Sequence, residues 1–333
     1  MAILKSYFHL YAYLMLCSLV SCGTTNNSST VEQEKKEKST TIEASRNPVY
    51  FTDDQGVSWN QPSFQFPPTA QVSFMQKFGD ELIVATDNMG LFMSEHNLTD
   101  WNDVSNSLSG KKINALYLSE NTIFVGVYNQ GIFESKDQGV TWNSLNYDLA
   151  NLRVRAIIKL SDQLFVGTDD GIFTFNQEQQ TWSHLFKSVQ VNSFNGYKGN
   201  IVAGTNFGVL LSSQSGETWD WIHELGAVHN TAILDGKIAV MYFSGEVYMS
   251  NEWGSWFKLN YSPRELSYVY EMEQVDNSII MSNNYGIHQS FDGGKSWKHV
   301  FKTENIVFMD FVVIENTIYG GTKSWNEYRK KSK

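Results

Sequence analysis

The sequence predicts an all-β chain folded as a single seven-bladed β-propeller of four-stranded antiparallel blades. Three observations lead there. Trp59, Trp101, Trp142, Trp182, Trp219, Trp256 and Trp297 follow one another at intervals of 42, 41, 40, 37, 37 and 41 residues. Several of them close one short spelling, with a hydroxyl, Asp, Gly and Trp at relative positions 1, 3, 5 and 8. The ends of the repeat array are also offset by half a unit. A period near 40 that holds four short strands is the signature of a propeller blade.

The spelling is complete in Thr52, Asp54, Gly56, Trp59; in Ser135, Asp137, Gly139, Trp142; and in Ser290, Asp292, Gly294, Trp297. A fourth copy, Ser212, Gln214, Gly216, Trp219, has lost its acid, and the copies around Trp101, Trp182 and Trp256 have decayed further. Within one unit, Ile113 to Leu118 reads as strand A and Ser119-Glu120-Asn121 as a turn. Thr122 to Gly126 follows as strand B, Tyr128 to Gly131 as a loop, Ile132 to Ser135 as strand C, and strand D begins at Thr141. Asn, Gly, Asp and Ser fall between the apolar runs, where turns need them. The folded part begins at Pro48–Phe51 with a C strand and a D strand, and finishes with an A–B pair at Val307–Val313 and Thr317–Thr322. Joining the two ends in one composite blade closes the ring and removes the open edges of a linear array.

The Ser-x-Asp-x-Gly-x-x-Trp spelling resembles the Asp-box, or BNR repeat. That superfamily includes sialidases, xyloglucan-type glycosidases, sortilin ectodomains and photosystem II assembly factors. Blade number and a single domain are most similar to the seven-bladed, non-catalytic photosystem II assembly factor-like and sortilin-like bacterial propellers. Gly167 to Phe173 resembles sensor-propeller repeats of two-component regulators. The resemblance implies that the box lies at the C–D turn, with Asp54, Asp137 and Asp292 as turn clamps, Gly56, Gly139 and Gly294 supplying positive φ, and Trp59, Trp142 and Trp297 as wedges between blades. A short acid that accepts backbone N–H groups is suited to that structural role.

The first 21 residues read as a lipoprotein signal peptide. Lys5 precedes an apolar stretch from Tyr7 to Val20, which ends in Leu19-Val20-Ser21-Cys22, a sequence resembling the bacterial lipobox. Cys22 is the expected lipidation site and would anchor the chain to a membrane, since each buried CH₂ of an acyl chain contributes about 0.8 kcal/mol. Residues 22–46 lack hydrophobic periodicity and read as a disordered tether; residues 47–326 form the propeller, and 327–333 a basic tail. Cys17 and Cys22 are the only cysteines, so no disulfide and no thiolate metal site is expected in the folded part. The net charge of −10 disfavours nucleic acid as a partner. No metal or cofactor motif is present.

The loops opposite the Asp-box turns are the expected binding face. The first position of each A strand is apolar: Val72, Ile113, Val154, Val191, Val228, Val269 and Phe308. The next is mostly polar: Ser73, Asn114, Arg155, Asn192, His229, Tyr270 and Met309. The third adds Asn230, Glu271 and Asp310. With strand A innermost, Asn114, Arg155, Asn192, His229, Tyr270, Glu271 and Asp310 form a candidate ring at the channel mouth. Tyr128, Phe207, Tyr242, Phe243, Tyr285 and Trp325 form a candidate aromatic rim. The bland alternative is that the ring residues bond one another and trapped water.

A sialidase clamps its substrate carboxylate with three arginines. Arg46, Arg153, Arg155, Arg264 and Arg329 are the only ones here, and no three of them converge along the chain. Glu271 and Asp310, at matching positions of adjacent units, are the best carboxyl pair for acid–base work, with His229 nearby. The expectation is a non-catalytic cell-envelope lipoprotein, placed at the outer membrane, whose propeller binds a protein or glycan. The alternatives are a glycan-active hydrolase of sialidase-like ancestry and a sensor or accessory subunit of a polysaccharide-uptake system.

Overall fold

The structure is a computed structural model and describes residues 47–62, 66–67, 69–94, 100–119, 121–252, 255–260, 268–303 and 305–324, all within the unit Thr41–Lys333. Cys22, the signal, the tether, Arg46, Arg264, Trp325, Arg329 and the basic tail therefore lie outside the described residues. Seven antiparallel sheets succeed one another along the chain. The innermost strands are Val72–Phe78, Ile113–Ser119, Val154–Leu160, Val191–Tyr197, Val228–Leu234 and Val269–Val275 for blades 1 to 6, and Ile306–Ile314 for blade 7. Each inner strand packs against the next, and Ile306–Ile314 packs against both Val269–Val275 and Val72–Phe78, so the ring is closed.

Closure is made by the composite blade. Val49–Thr52 pairs antiparallel with Thr317–Ser324, Val49 opposite Gly321 and Thr52 opposite Ile318. Blades 1 to 6 have four strands each. In blade 7, among the described residues, three strands pair and the fourth, outer position is held by a bridge between Phe51 and Asn60. The turn that begins at Thr52 leaves the chain only the stretch around Asn60 to return alongside.

Strand B of blades 1 to 6 is sandwiched between neighbouring blades, which is why it reads as a mainly apolar run rather than an alternating one. Leu82–Ala85, Ile201–Ala203 and Ile238–Met241 are all buried. The inner strand turns into strand B through two-residue connections such as Lys198-Gly199 and Asp235-Gly236, in which both residues have positive φ and match the twist of the hairpin.

The C–D turn repeats one hydrogen-bond pattern in three blades. In blade 2, Ser135 Oγ donates to Asp137 Oδ1 and accepts the Gly139 N–H. The Asp137 carboxylate then accepts the Thr141 N–H at 2.8 Å and the Thr141 hydroxyl at 2.6 Å. Thr52, Asp54, Gly56 and Ser58 repeat it, and so do Ser290, Asp292, Gly294 and Ser296. The hydroxyl at position 7 of the spelling thus belongs to the clamp, and the sequence reading missed it. Where no Asp stands at position 3, the first hydroxyl does a different job: Ser94, Ser212 and Ser250 accept the N–H of Leu82, Ile201 and Ile238 in strand B. Three of the tryptophans reach across blade junctions, whereas Trp219 and Trp297 donate to the Gly216 and Gly294 carbonyls of their own turns. Trp142 Nε1 donates to the Val104 carbonyl, Trp182 to Leu145 and Trp256 to Ile222, each on the preceding blade's outer segment.

Gly139 has φ of +86°, and a Cβ there would lie 2.6 Å from the Val104 carbonyl oxygen. Gly139→Ala is therefore expected to cost about 2 kcal/mol or more, from backbone strain and the clash with the neighbouring blade; urea unfolding measures it. The hydroxyl and N–H donors around Asp54 and Asp292 hold their carboxyls down at about 2. The clamp should persist above the ordinary carboxyl range and weaken only as pH falls through about 2, which a carbon-detected NMR titration of the two side chains would show.

Candidate functional site: the channel mouth

The register of every A–B pair places the start of strand A beside the end of strand B. Val72 faces Thr86, Ile113 faces Val127, and Phe308 faces Thr322. The starts of the inner strands, the B–C loops and the ends of the outer strands therefore share one face, and the Asp-type turns lie on the other. All seven A–B pairs are interrupted by a β-bulge at the same place, immediately after the buried first residue. The extra, unpaired residues are Ser73, Asn114, Arg155, Asn192, His229, Tyr270 and Met309, the second-position series read from the sequence. A bulge releases its residue from the ladder and re-aims the side chain. The ring at the mouth is thus built by a repeated backbone irregularity rather than by regular strand alternation.

Ser73, Arg155 and Asn192 are committed to internal bonds. Asn192 donates to the Val228 carbonyl of the next blade at 2.7 Å and accepts from Gln190. Arg155 and Arg153 both pair with Asp169, Arg153 at 3.1 Å. Ser73 donates to Asp87, whose other oxygen meets Lys323 of blade 7 at 3.1 Å in an enclosed ion pair. His229 packs edge-to-face against Phe243 and Tyr268, with ring centroids at 5.3 and 4.9 Å, and its Nδ1 is buried without a hydrogen-bond partner. Burial and the nearby Lys323 charge hold this imidazole down at about 4, so it is neutral at physiological pH.

One level deeper, the third-position residues staple consecutive blades. Asn230, Glu271 and Asp310 each accept the backbone N–H of their own following residue, at 2.9, 2.9 and 2.8 Å. Asn230 also donates to the second oxygen of Glu271 at 2.7 Å, and the second oxygen of Asp310 accepts the Met75 N–H of blade 1 at 2.7 Å. Each carboxylate oxygen in the proposed acid–base pair is therefore already an acceptor. Desolvation, and for Glu271 the negative charge of Asp310, raise both carboxyls, Asp310 to about 8. Glu273, one inner-strand repeat below Glu271, is raised by burial to about 7 and was missed in the sequence. Its i, i+2 relation to Glu271 on an inner strand was the signal that could have found it.

The aromatic rim divides. Phe207, Phe243 and Tyr128 are exposed, Tyr128 with the Lys112 ammonium 5.1 Å from its ring centre. Tyr285 is half-buried, and its carbonyl accepts bonds from Thr303 N–H and the His299 ring. Tyr242 is not at the rim. It is the last residue of strand B, opposite Val228, 3% exposed, with its hydroxyl bonded to His223 Nδ1 at 2.8 Å. Tyr270 is likewise buried, at 1% exposure, against Tyr268. Tyr242 was read one position too far out, because sequence spacing does not show where strand B ends; Tyr270 holds its expected bulge position, but its side chain folds inward. Asn114 keeps intermediate exposure. Among the described residues, no group of three or more His, Cys, Asp or Glu side chains is arranged to hold a metal ion.

No protein-family model matches the chain, and a comparison with curated proteins finds no match. Solved structures do match. The structure titled YCF48 bound to D1 peptide is 16% identical, with a TM-score of 0.60 over 84% of this chain and 96% of that one. PorZ, a surface component of the type-IX secretion system of Porphyromonas gingivalis, matches at 12% identity and TM-score 0.56, over 76% of this chain and 36% of its own. The GH74 enzyme of Niastella koreensis matches at 18% and 0.54, over 69% of this chain and 45% of its own. At these identities the likeness is one of fold: the chain is a seven-bladed β-propeller.

Because Glu273 and Asp310 hold their protons more tightly in the folded state than in the unfolded chain, their contribution to stability is complete below the ordinary carboxyl range. It is lost as pH rises through about 7 to 8. Thermal unfolding should occur at lower temperature at pH 8.5 than at pH 5, and Asp310→Asn should shrink that difference. An unchanged difference in the variant would refute the assignment.

Proposed function

We propose that this propeller is the non-catalytic binding head of a cell-envelope lipoprotein, anchored through Cys22 and joined to its lipid by residues 22–46, and that it holds a protein or glycan partner on the B–C loop face. One observation carries the reading. On that face Arg155, Asn192, Asn230, Glu271 and Asp310 are consumed by bonds within and between blades, whereas Tyr128, Phe207 and Phe243 are left exposed. Surfaces that bind use exposed aromatics in this way, and a hydrolase needs at least one carboxylate oxygen available to substrate. Two of the fold relatives, YCF48 described with a bound D1 peptide and PorZ described as a surface component of a secretion system, support a binding role here.

The second reading is a glycan hydrolase. It is favoured by the crowding that keeps Asp310 and Glu273 protonated near neutral pH, as a general acid must be.

A photo-cross-linking residue at position 207 should capture an envelope partner in intact cells, and the same residue at position 140, on the opposite face, should not. Cys22→Ala should release the protein from the membrane fraction. Turnover of any substrate in a glycan panel by the wild type, abolished by Asp310→Asn with the fold intact, would replace this reading with the hydrolase.

A further inference from the structure

The seven blades act as one another's controls. The residue that follows the one facing the first position of strand A is Asp87, Tyr128, Asp169, Asn206, Phe243, Asn284 and Lys323 in turn around the ring, and the next is Asn88, Asn129, Asp170, Phe207, Ser244, Tyr285 and Ser324. Most of these positions are polar, and three of the four charged ones close ion pairs, Asp87 with Lys323 and Asp169 with Arg155. Blades 4 and 5 break the pattern on adjacent loops with Phe207 and Phe243. The connection between these two blades adds Leu225. The three are 54%, 51% and 58% exposed.

The backbone segments that carry them adjoin. The Phe207–Gly208 loop packs directly on Glu224, a Cβ at Gly208 falling 2.9 Å from the Glu224 Cα. The Phe243 N–H bonds the Ala227 carbonyl at 3.0 Å, and the Phe243 ring meets His229. The backbone beneath is fastened as well: the Asn206 N–H bonds the Gln190 carbonyl, and Thr205 Oγ1 accepts the N–H groups of Phe207 and Gly208. Apolar side chains held out on a rigid frame, at loop positions where sister blades are mostly polar, are a local rule broken without internal gain.

The chemistry beside these side chains identifies what fits them. Gln190, Asn192, Thr205, Asn206, His223 and Tyr242 already bond within the protein. A sugar, which needs many hydrogen bonds to its hydroxyls, finds few partners. Glu224, next to Leu225, makes no ion pair among the described residues, whereas Lys258 on the next blade is committed to Glu246. The chain's formal charge of −10 adds long-range attraction for cations.

We propose that Phe207, Leu225 and Phe243 form the docking ledge for a peptide segment of a partner protein, one that combines aliphatic or aromatic side chains with lysine or arginine. This rests on the binding-head reading above and names its partner class.

The test uses the full-length protein with a phage-displayed random peptide library, beside a panel of oligosaccharides. Selected peptides are expected to pair Leu, Ile, Phe or Trp with Lys or Arg. Phe243→Ser and Leu225→Ser should each weaken the best peptide about tenfold or more, as loss of an interface anchor does. Val140→Ser on the opposite face should leave binding unchanged, and Glu224→Gln should weaken it and flatten its dependence on salt. Both ledge residues are exposed, so the variants are checked for wild-type circular dichroism, and Phe207→Ser stands in for any that misfolds. The proposal is overturned if no peptide is selected, if selected peptides bind the ledge variants as well as the wild type, or if they lack basic residues. Oligosaccharide binding lost in Phe243→Ser would overturn it too, while leaving the binding-head reading standing. Absence of any envelope cross-link from position 207 would remove that reading itself.

Discussion

The pairing of Val49–Thr52 with Thr317–Ser324 is the constraint on which the rest of the molecule depends. A blade has two apolar faces and cannot bury both alone, so every blade needs two neighbours. A linear array would leave the outer faces of its first and last blades wet. Joining strands from opposite ends of the chain removes both exposed faces at once, and the aromatic cluster of Tyr50, Trp59, Phe308 and Phe311 fills the seam. The joint is short, but it does not act alone: the Met75 N–H held by Asp310 and the Lys323–Asp87 ion pair fasten blade 7 to blade 1 beside it.

The same logic accounts for the polar residues around the channel. Inner strands converge there, and their side chains have only one another and the neighbouring backbone to bond. Asn192, Asn195, Asn230, Glu271 and Asp310 therefore act across blade junctions rather than toward a ligand. Burying two carboxyls in this way has a consequence, since they resist ionisation and make the ring's interior sensitive to alkaline pH. What projects from the mouth is a different set of residues, the aromatic and aliphatic side chains of the B–C and D–A loops. The exposed apolar side chains and the groups that fasten the ring are thus separate layers of the same face.

Much of this was legible in advance. The tryptophan interval, the Ser-x-Asp-x-Gly turns and the half-unit offset are local or periodic features, and they reported blade number and closure directly. The apolar first position of the inner strand, from Val72 to Phe308, was also readable, because burial at that point is invariant around the ring. The site was less so. Tyr242 and Phe243 are neighbours in sequence, yet the first ends a strand inside a blade junction and the second stands half in solvent. Leu225 carried no motif at all. Glu271 and Asp310 were picked out for their chemistry, and only their bonds to Asn230 and Met75 assign them to stapling.

Sequence by itself determined the architecture of this protein: seven units, their strand order, the turn that closes each, and the joining of the two ends. It could do so because repetition and turn chemistry are properties of short segments that recur. Tertiary structure decided which side chains are available to a partner. Seven bulges of identical placement turn the second residue of each inner strand out of register, and the packing of neighbouring blades then either consumes that residue or exposes the loop beside it. Availability depends on what an adjacent blade offers, and that neighbour is some 40 residues away along the chain.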